Sequence, residues 1–166
     1  VMPYVALTIF LVGSIARYER DPFTWKSSSS QLLRRKQLIW GSILFHVGIL
    51  FLMAGHTVGL LTPSAIYSLV LTAPQKQLLA VVSGGAFGVL CFIGLSMLLH
   101  RRLVDPRIRA TSSTADIAIL VLLWLQLALG LATIPLSAQH LDGSMMMKLA
   151  EWGQRVVTFR SGGVEL

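Results

Sequence analysis

Leu38–Leu61 reads LIWGSILFHVGILFLMAGHTVGLL, a run without a formal charge that holds two imidazoles, His46 and His56. A bilayer-spanning helix needs about 20 largely apolar residues, so the run is long enough to cross. A polar ring in hydrocarbon is costly unless it is partnered, and intramembrane ionisable groups mark function. Ten residues on a helix are a rise of about 15 Å and a net rotation of about 80°. The two rings therefore cannot share one ion, but they can serve two centres at different depths. Haem suits this arrangement, because its disc is apolar and its iron takes axial imidazoles. One helix cannot hold both faces of a disc, so each iron needs a second ligand from elsewhere. Gly59 shares a face with His56 and would let a macrocycle lie close. Gly55 and Gly59 also form a small-xxx-small step, as do Gly84 and Gly88, and for Gly84 and Gly88 helix packing is the preferred reading. Spacing alone also allows structural hydrogen bonding or a proton path for the histidines.

The rest of the chain has the same character. Of its 166 residues, 54% are hydrophobic and 13% are charged, with mean hydropathy +0.71. A soluble domain carries about a quarter charged residues. Gln77–Leu99 and Ile117–Leu136 are further uncharged runs of spanning length, and Val1–Ala16 reads as a short first span. The fold class expected is an all-α membrane protein: a helical bundle with four transmembrane helices, forming a single domain over 1–166. The first run is already under way at Val1 and the chain stops after a Gly-rich stretch, which reads as a fragment incomplete at both ends, without a signal peptide. The lone cysteine, Cys91, excludes an intrachain disulfide and reads as a small packing residue.

The net charge of +7 is distributed as in membrane loops and gives no sign of nucleic-acid binding. Arg17, Arg20, Lys26, Arg34, Arg35 and Lys36 lie between the first two runs, and Arg101, Arg102, Arg107 and Arg109 between the last two. Between the second and third stands only Lys76, while Lys148, Arg155 and Arg160 in the tail are matched by Asp142, Glu151 and Glu165. The positive-inside rule then places the two basic loops in the cytoplasm and the N-terminus, Lys76 and the tail outside. His46 is nearer the cytoplasm and His56 nearer the outside. In the tail, Met145, Leu149, Trp152, Val156 and Phe159 make one apolar face, with Ser144 as a candidate cap. This predicts an amphipathic helix, either lying on the outer surface or packed against the spans. His100 reads as interfacial, His140 and Ser27–Ser30 as loop, and no phosphate loop, Ser/His/Asp set or four-residue metal cluster is visible.

Several strings are more specific than hydropathy: GSIARYERDPFTW, LFHVGIL followed by GHTVGLLTP, SGGAFGVLCFIG, RRLVDPRIRATSSTADI and TIPLSAQHLDGSMMMKLAEWGQRVVTF. Over nearly its whole length the chain resembles the gamma subunit of respiratory nitrate reductase, a membrane cytochrome b. The resemblance implies five spanning helices and two b-type haems with bis-histidine ligation. His46 falls on the ligand position of the inner haem and His56 on that of the outer haem. The opposite ligands come from a fifth helix, which would follow Leu166. Lys76 falls on the family's lysine near the quinol site; by itself it reads equally as a lysine snorkelling at the lipid border. The resemblance further implies a multi-pass protein of the bacterial cytoplasmic (inner) membrane. It would oxidise quinol near the outer face and pass electrons to a cytoplasmic iron–sulfur subunit and a molybdenum subunit that reduces nitrate. The basic loops would dock that partner or hold haem propionates, or serve only as topology signals. Two alternatives stand beside this: a two-haem subunit of another quinone-linked complex, acting on sulfur compounds or disulfides, and a haem-free membrane scaffold or transport subunit.

Overall fold

In a computed structural model of the chain, each apolar run forms one α-helix. The structure describes residues 1–24, 33–139 and 142–160. The loop readings of Ser27–Ser30 and His140, and the matching charge Glu165, lie outside the described residues. Helix α1 spans Met2–Arg20, α2 Arg35–Leu61, α3 Ser64–Tyr67 and α4 Ala73–Val104. Then come α5, Pro106–Ala110, α6, Thr114–Gln139, and α7, Ser144–Val157, and among the described residues there is no strand. The all-α class is thus as expected. Three helices, α2, α4 and α6, are long and apolar enough to cross a membrane. Helix α1 has 19 residues and carries Arg17, Glu19 and Arg20 in its last turn.

Helix α4 outruns its apolar run because its start is set by a cap rather than by the first charge. Helix α4 is 32 residues long and begins at Thr72, whose hydroxyl accepts from the Gln75 amide while the Gln75 side chain accepts from the Thr72 amide. This capping box starts the helix before Lys76, which therefore lies in the first turn of α4 rather than in a loop. At the other end Arg101 and Arg102 are also helical. Asp105 follows, closing α4 and accepting from the Arg107 and Ile108 amides to open α5.

Helix α4 is the centre of the bundle, with α2 on one side and α6 on the other. The α2–α4 crossing is made by small residues. An added Cβ at Gly48 would stand 2.6 Å from Cys91 Cβ, and one at Gly94 would overlap the Phe45 amide nitrogen. Gly41 meets Leu98 and the Gly94 carbonyl. Cys91, Leu95, Gly48 and Gly94 are buried, so the backbones approach as closely as packing in lipid requires. On the other side of α4, Gly88 receives Leu131, and Trp124 Nε1 donates to Ser96 Oγ at 2.9 Å. Gly84 has no neighbour within 4 Å of an added Cβ. The packing expected of Gly84 and Gly88 therefore holds at Gly88 only: one turn earlier on the same face, no neighbour reaches Gly84. Outward-facing residues of α2, α4 and α6 are large and apolar, as lipid demands (Leu50, Val82 and Leu122 among them).

The basic end is stitched by named contacts. Arg34 has φ 45°, a left-handed backbone uncommon for a side chain of its size, and its guanidinium pairs with Asp105 at 2.8 Å. Arg101 donates to the Leu33 carbonyl and Arg102 to Ser112 Oγ. Several cations of these loops are thus engaged in joining α2, α4 and α5–α6.

Candidate functional site

His46 and His56 lie on one continuous helix, α2, and both are exposed on the bundle's outside. Their local chemistry is the same. His46 Nδ1 is 2.7 Å from the Ser42 carbonyl oxygen, and His56 Nδ1 is 2.7 Å from the Leu52 carbonyl oxygen. A carbonyl can only accept, so each Nδ1 carries the hydrogen and donates. Nε2 of each ring then keeps its lone pair, and among the described residues nothing bonds to it. A ring whose far N–H is tied to a backbone carbonyl is fixed in tautomer and direction, which is the state of a metal-ligating imidazole. At His46, Ser42 Oγ also lies 3.2 Å from Nδ1. Beside His56, neither Gly55 nor Gly59 has a heavy atom within 4 Å of an added Cβ. These glycines do not pack helices among the described residues, and Gly59, on the same face as His56, leaves open surface next to the ring. The donor set fits a metal-bearing group at each histidine, and the open surface fits a planar one beside His56. Among the described residues there is no group of three or more His, Cys, Asp or Glu that could hold a metal ion.

Lys76 is brought to the end of the bundle that carries His56. The C-terminal turns of α2 and the first turn of α4 meet there through the short helix α3. Lys76 is 8% exposed, and its ammonium sits 3.9 Å from the centroid of the Tyr67 ring on α3. It is folded inward over the ring. The Tyr67 hydroxyl donates to Met147 Sδ on α7. The next residue, Gln77, is buried too and donates from Nε2 to the Ser137 carbonyl of α6 at 2.9 Å. Sequence reasoning missed Tyr67 and Met147, since only the apposition of three helices reveals them; the sole prior signal was an aromatic residue in the short link between two spans.

Helix α7 closes this end. Its buried face is Ala150 and Gly153, and Gln154 Nε2 donates to the Leu60 and Thr62 carbonyls at the end of α2. Met145, Leu149 and Trp152 stay exposed. The helix is packed against the bundle, the second of the two expected placements: small and polar residues bind it, and the apolar stripe faces outward. The start differs from expectation. Gly143, with φ +80°, is the N-cap, and the Asp142 carboxylate accepts from the Ser144 amide. Ser144 is the first helical residue, because the left-handed turn needed to lay α7 against Ala73 is one glycine adopts and a side chain would obstruct. At the opposite end His100 is exposed, its Nδ1 3.5 Å from Gln37 Nε2, away from both histidines of α2.

The fold defines a multi-pass α-helical membrane protein, with two imidazoles on one helix each tied through Nδ1 to a backbone carbonyl. The sequence profile of the nitrate reductase gamma subunit family matches residues 1–166, and the chain belongs to that family. It is 54% identical over 162 residues to the respiratory nitrate reductase 1 gamma chain of Escherichia coli (strain K12), an alignment covering 98% of this chain and 72% of the relative. Identity to the respiratory nitrate reductase 2 gamma chain of the same strain is 49% over 166 residues, covering 100% and 74%. The nitrate reductase gamma chain of Bacillus subtilis (strain 168) is 39% identical over 161 residues, covering 96% and 72%. The chain is therefore a subunit of an oxidoreductase complex, a nitrate reductase, and has the other subunits of that complex as partners.

Proposed function

We propose that the chain is the quinol-oxidising cytochrome b subunit of a respiratory nitrate reductase in a bacterial inner membrane. Its N-terminus, Lys76 and α7 face outward, and α1 is a further membrane span. His46 and His56 would each hold, through Nε2, one of two b-type haems. The observation that carries this reading is the matching pair of Nδ1 bonds to backbone carbonyls on an open face of α2. A b-type haem, when bound, supplies one-electron redox chemistry tuned by its axial ligands and surroundings. The chain's own residues do the rest. The carbonyls of Ser42 and Leu52 hold each ring in the ligating tautomer. Gly59 would admit a flat group beside His56.

Lys76 binds an oxygen of the quinol. An ammonium next to a quinol hydroxyl favours its ionised form, which prepares it to give up electrons. Oxidation to the quinone releases two electrons and two protons. The protons leave on the outer side, and the electrons go to the cytoplasmic iron–sulfur and molybdenum subunits. The test is nitrate reduction by the assembled complex carrying Lys76→Ala. Quinol-driven turnover should fall, while turnover driven by a small dye that feeds the cytoplasmic subunits directly should not. Unchanged quinol-driven kinetics would remove Lys76 from the site.

A further inference from the structure

We propose that Tyr67 is the positioning residue of the quinol-oxygen site, presenting the Lys76 ammonium through its ring face and tying the site to α7 through its hydroxyl. This rests on the reading of Lys76 as a quinol ligand. Lys76 is 8% exposed, and its Nζ has no hydrogen-bond partner among the described residues. A buried ammonium with unused donors is costly, so what surrounds it shows what the position is for. The Tyr67 ring lies 3.9 Å away and attracts the charge by its quadrupole. A ring face, unlike a carboxylate, neither neutralises the cation nor offers lone pairs to occupy its N–H groups. The charge is held in place while its donors remain available for the acceptor oxygen of a ligand.

The frame around this pair is rigid on every side. The Thr72–Gln75 capping box fixes the turn that carries Lys76. Gln77 anchors the following residue to α6. Tyr67 sits at the end of α3, and its hydroxyl reaches Met147, so α7 braces the ring from behind. Close packing of Gly143 on Ala73 holds the start of α7 on the same turn of α4. Helix α7 thereby becomes part of the site without touching the ligand.

The experiment measures steady-state kinetics of the assembled complex in membranes, with a water-soluble quinol analogue as donor. Tyr67→Leu should raise the KM for the quinol roughly thirtyfold, the size of a desolvated cation–π contact. Tyr67→Phe, which keeps the ring, should restore most of the affinity. A ring-fluorinated phenylalanine at position 67 keeps the shape but weakens the face, and should raise KM in step with fluorination. This series holds the test open if the leucine variant fails to assemble. In a Lys76→Ala background, Tyr67→Leu should add nothing further. Additive effects in the double variant, or a KM indifferent to fluorination while Lys76→Ala raises it, would overturn the role of Tyr67 alone. A KM unchanged by Lys76→Ala would instead overturn the quinol reading beneath it.

Discussion

Gly48→Ala is the sharpest test of how the bundle is assembled. The new methyl would stand 2.6 Å from Cys91 Cβ, 2.7 Å from Cys91 N and 2.8 Å from Cys91 Cα. Two of those atoms are backbone, so no rotamer change relieves the overlap. Ordinary contact begins at 3.4 Å, and α2 must move from α4 by about 0.8 Å. A gap of that size forfeits roughly a quarter to a half of the dispersion well at each contact along the crossing. Overpacking of this kind costs about 1–3 kcal/mol. A value near 2 kcal/mol is about a thirtyfold loss in the folding equilibrium. Gly88→Ala should cost less, since its nearest atom is the Leu131 methyl carbon at 2.8 Å, the end of a flexible side chain. Gly84→Ala meets nothing within 4 Å and should be neutral or gain up to about 1 kcal/mol in helix propensity. The assay is unfolding of the purified subunit in mixed micelles with increasing sodium dodecyl sulfate, followed by helical circular dichroism. If Gly48→Ala proves no more damaging than Gly84→Ala, the α2–α4 crossing described here is wrong.

Gln154→Leu removes the two bonds to the Leu60 and Thr62 carbonyls and should cost about 1–2 kcal/mol locally. Amide exchange across α7 should accelerate while α4 stays protected; uniform protection would contradict the brace. Asp105 is not internal to a span, and its acidity follows from its partners. Desolvation pushes its pKa up, but the Ile108 and Arg107 amides and the Arg34 guanidinium outweigh it and hold the carboxyl below its usual range. A depressed folded pKa means stability present above the unfolded value of about 3.9 and lost as pH falls through the folded one. The stability advantage of the native subunit over Asp105→Asn should therefore be constant above about pH 5 and shrink on acidification. An advantage independent of pH would show that the charge is not what matters.

How much of this was legible beforehand depended on polarity. The apolar runs, the two histidines and the family strings are explicit in the sequence, and they located the long helices and the candidate ligands. The rotation of each helix was not legible. In lipid, buried and outward faces are equally apolar, so no hydropathy stripe marks the packed side. That is why Gly41 and Gly48 on α2 and Gly94 on α4 were not singled out, and why Gly84 was grouped with Gly88. Helix α7 is different: polar residues (Lys148, Glu151 and Arg155) alternate with its apolar ones, so its apolar stripe was plain in Met145, Leu149 and Trp152. Its seat, Ala150 and Gly153, was hidden because small residues carry little hydropathy. The Lys76–Tyr67 pair depends on the turn between α2 and α4, which no local pattern predicts.

The central claim concerns Nε2 of His46 and His56, and reduced-minus-oxidised absorption of the complete, assembled complex tests it most directly. The expected result is a b-type spectrum that loses about half its amplitude in His46→Ala, with a different half lost in His56→Ala. A well-assembled complex with no haem absorption, or either variant retaining the full spectrum, would contradict it.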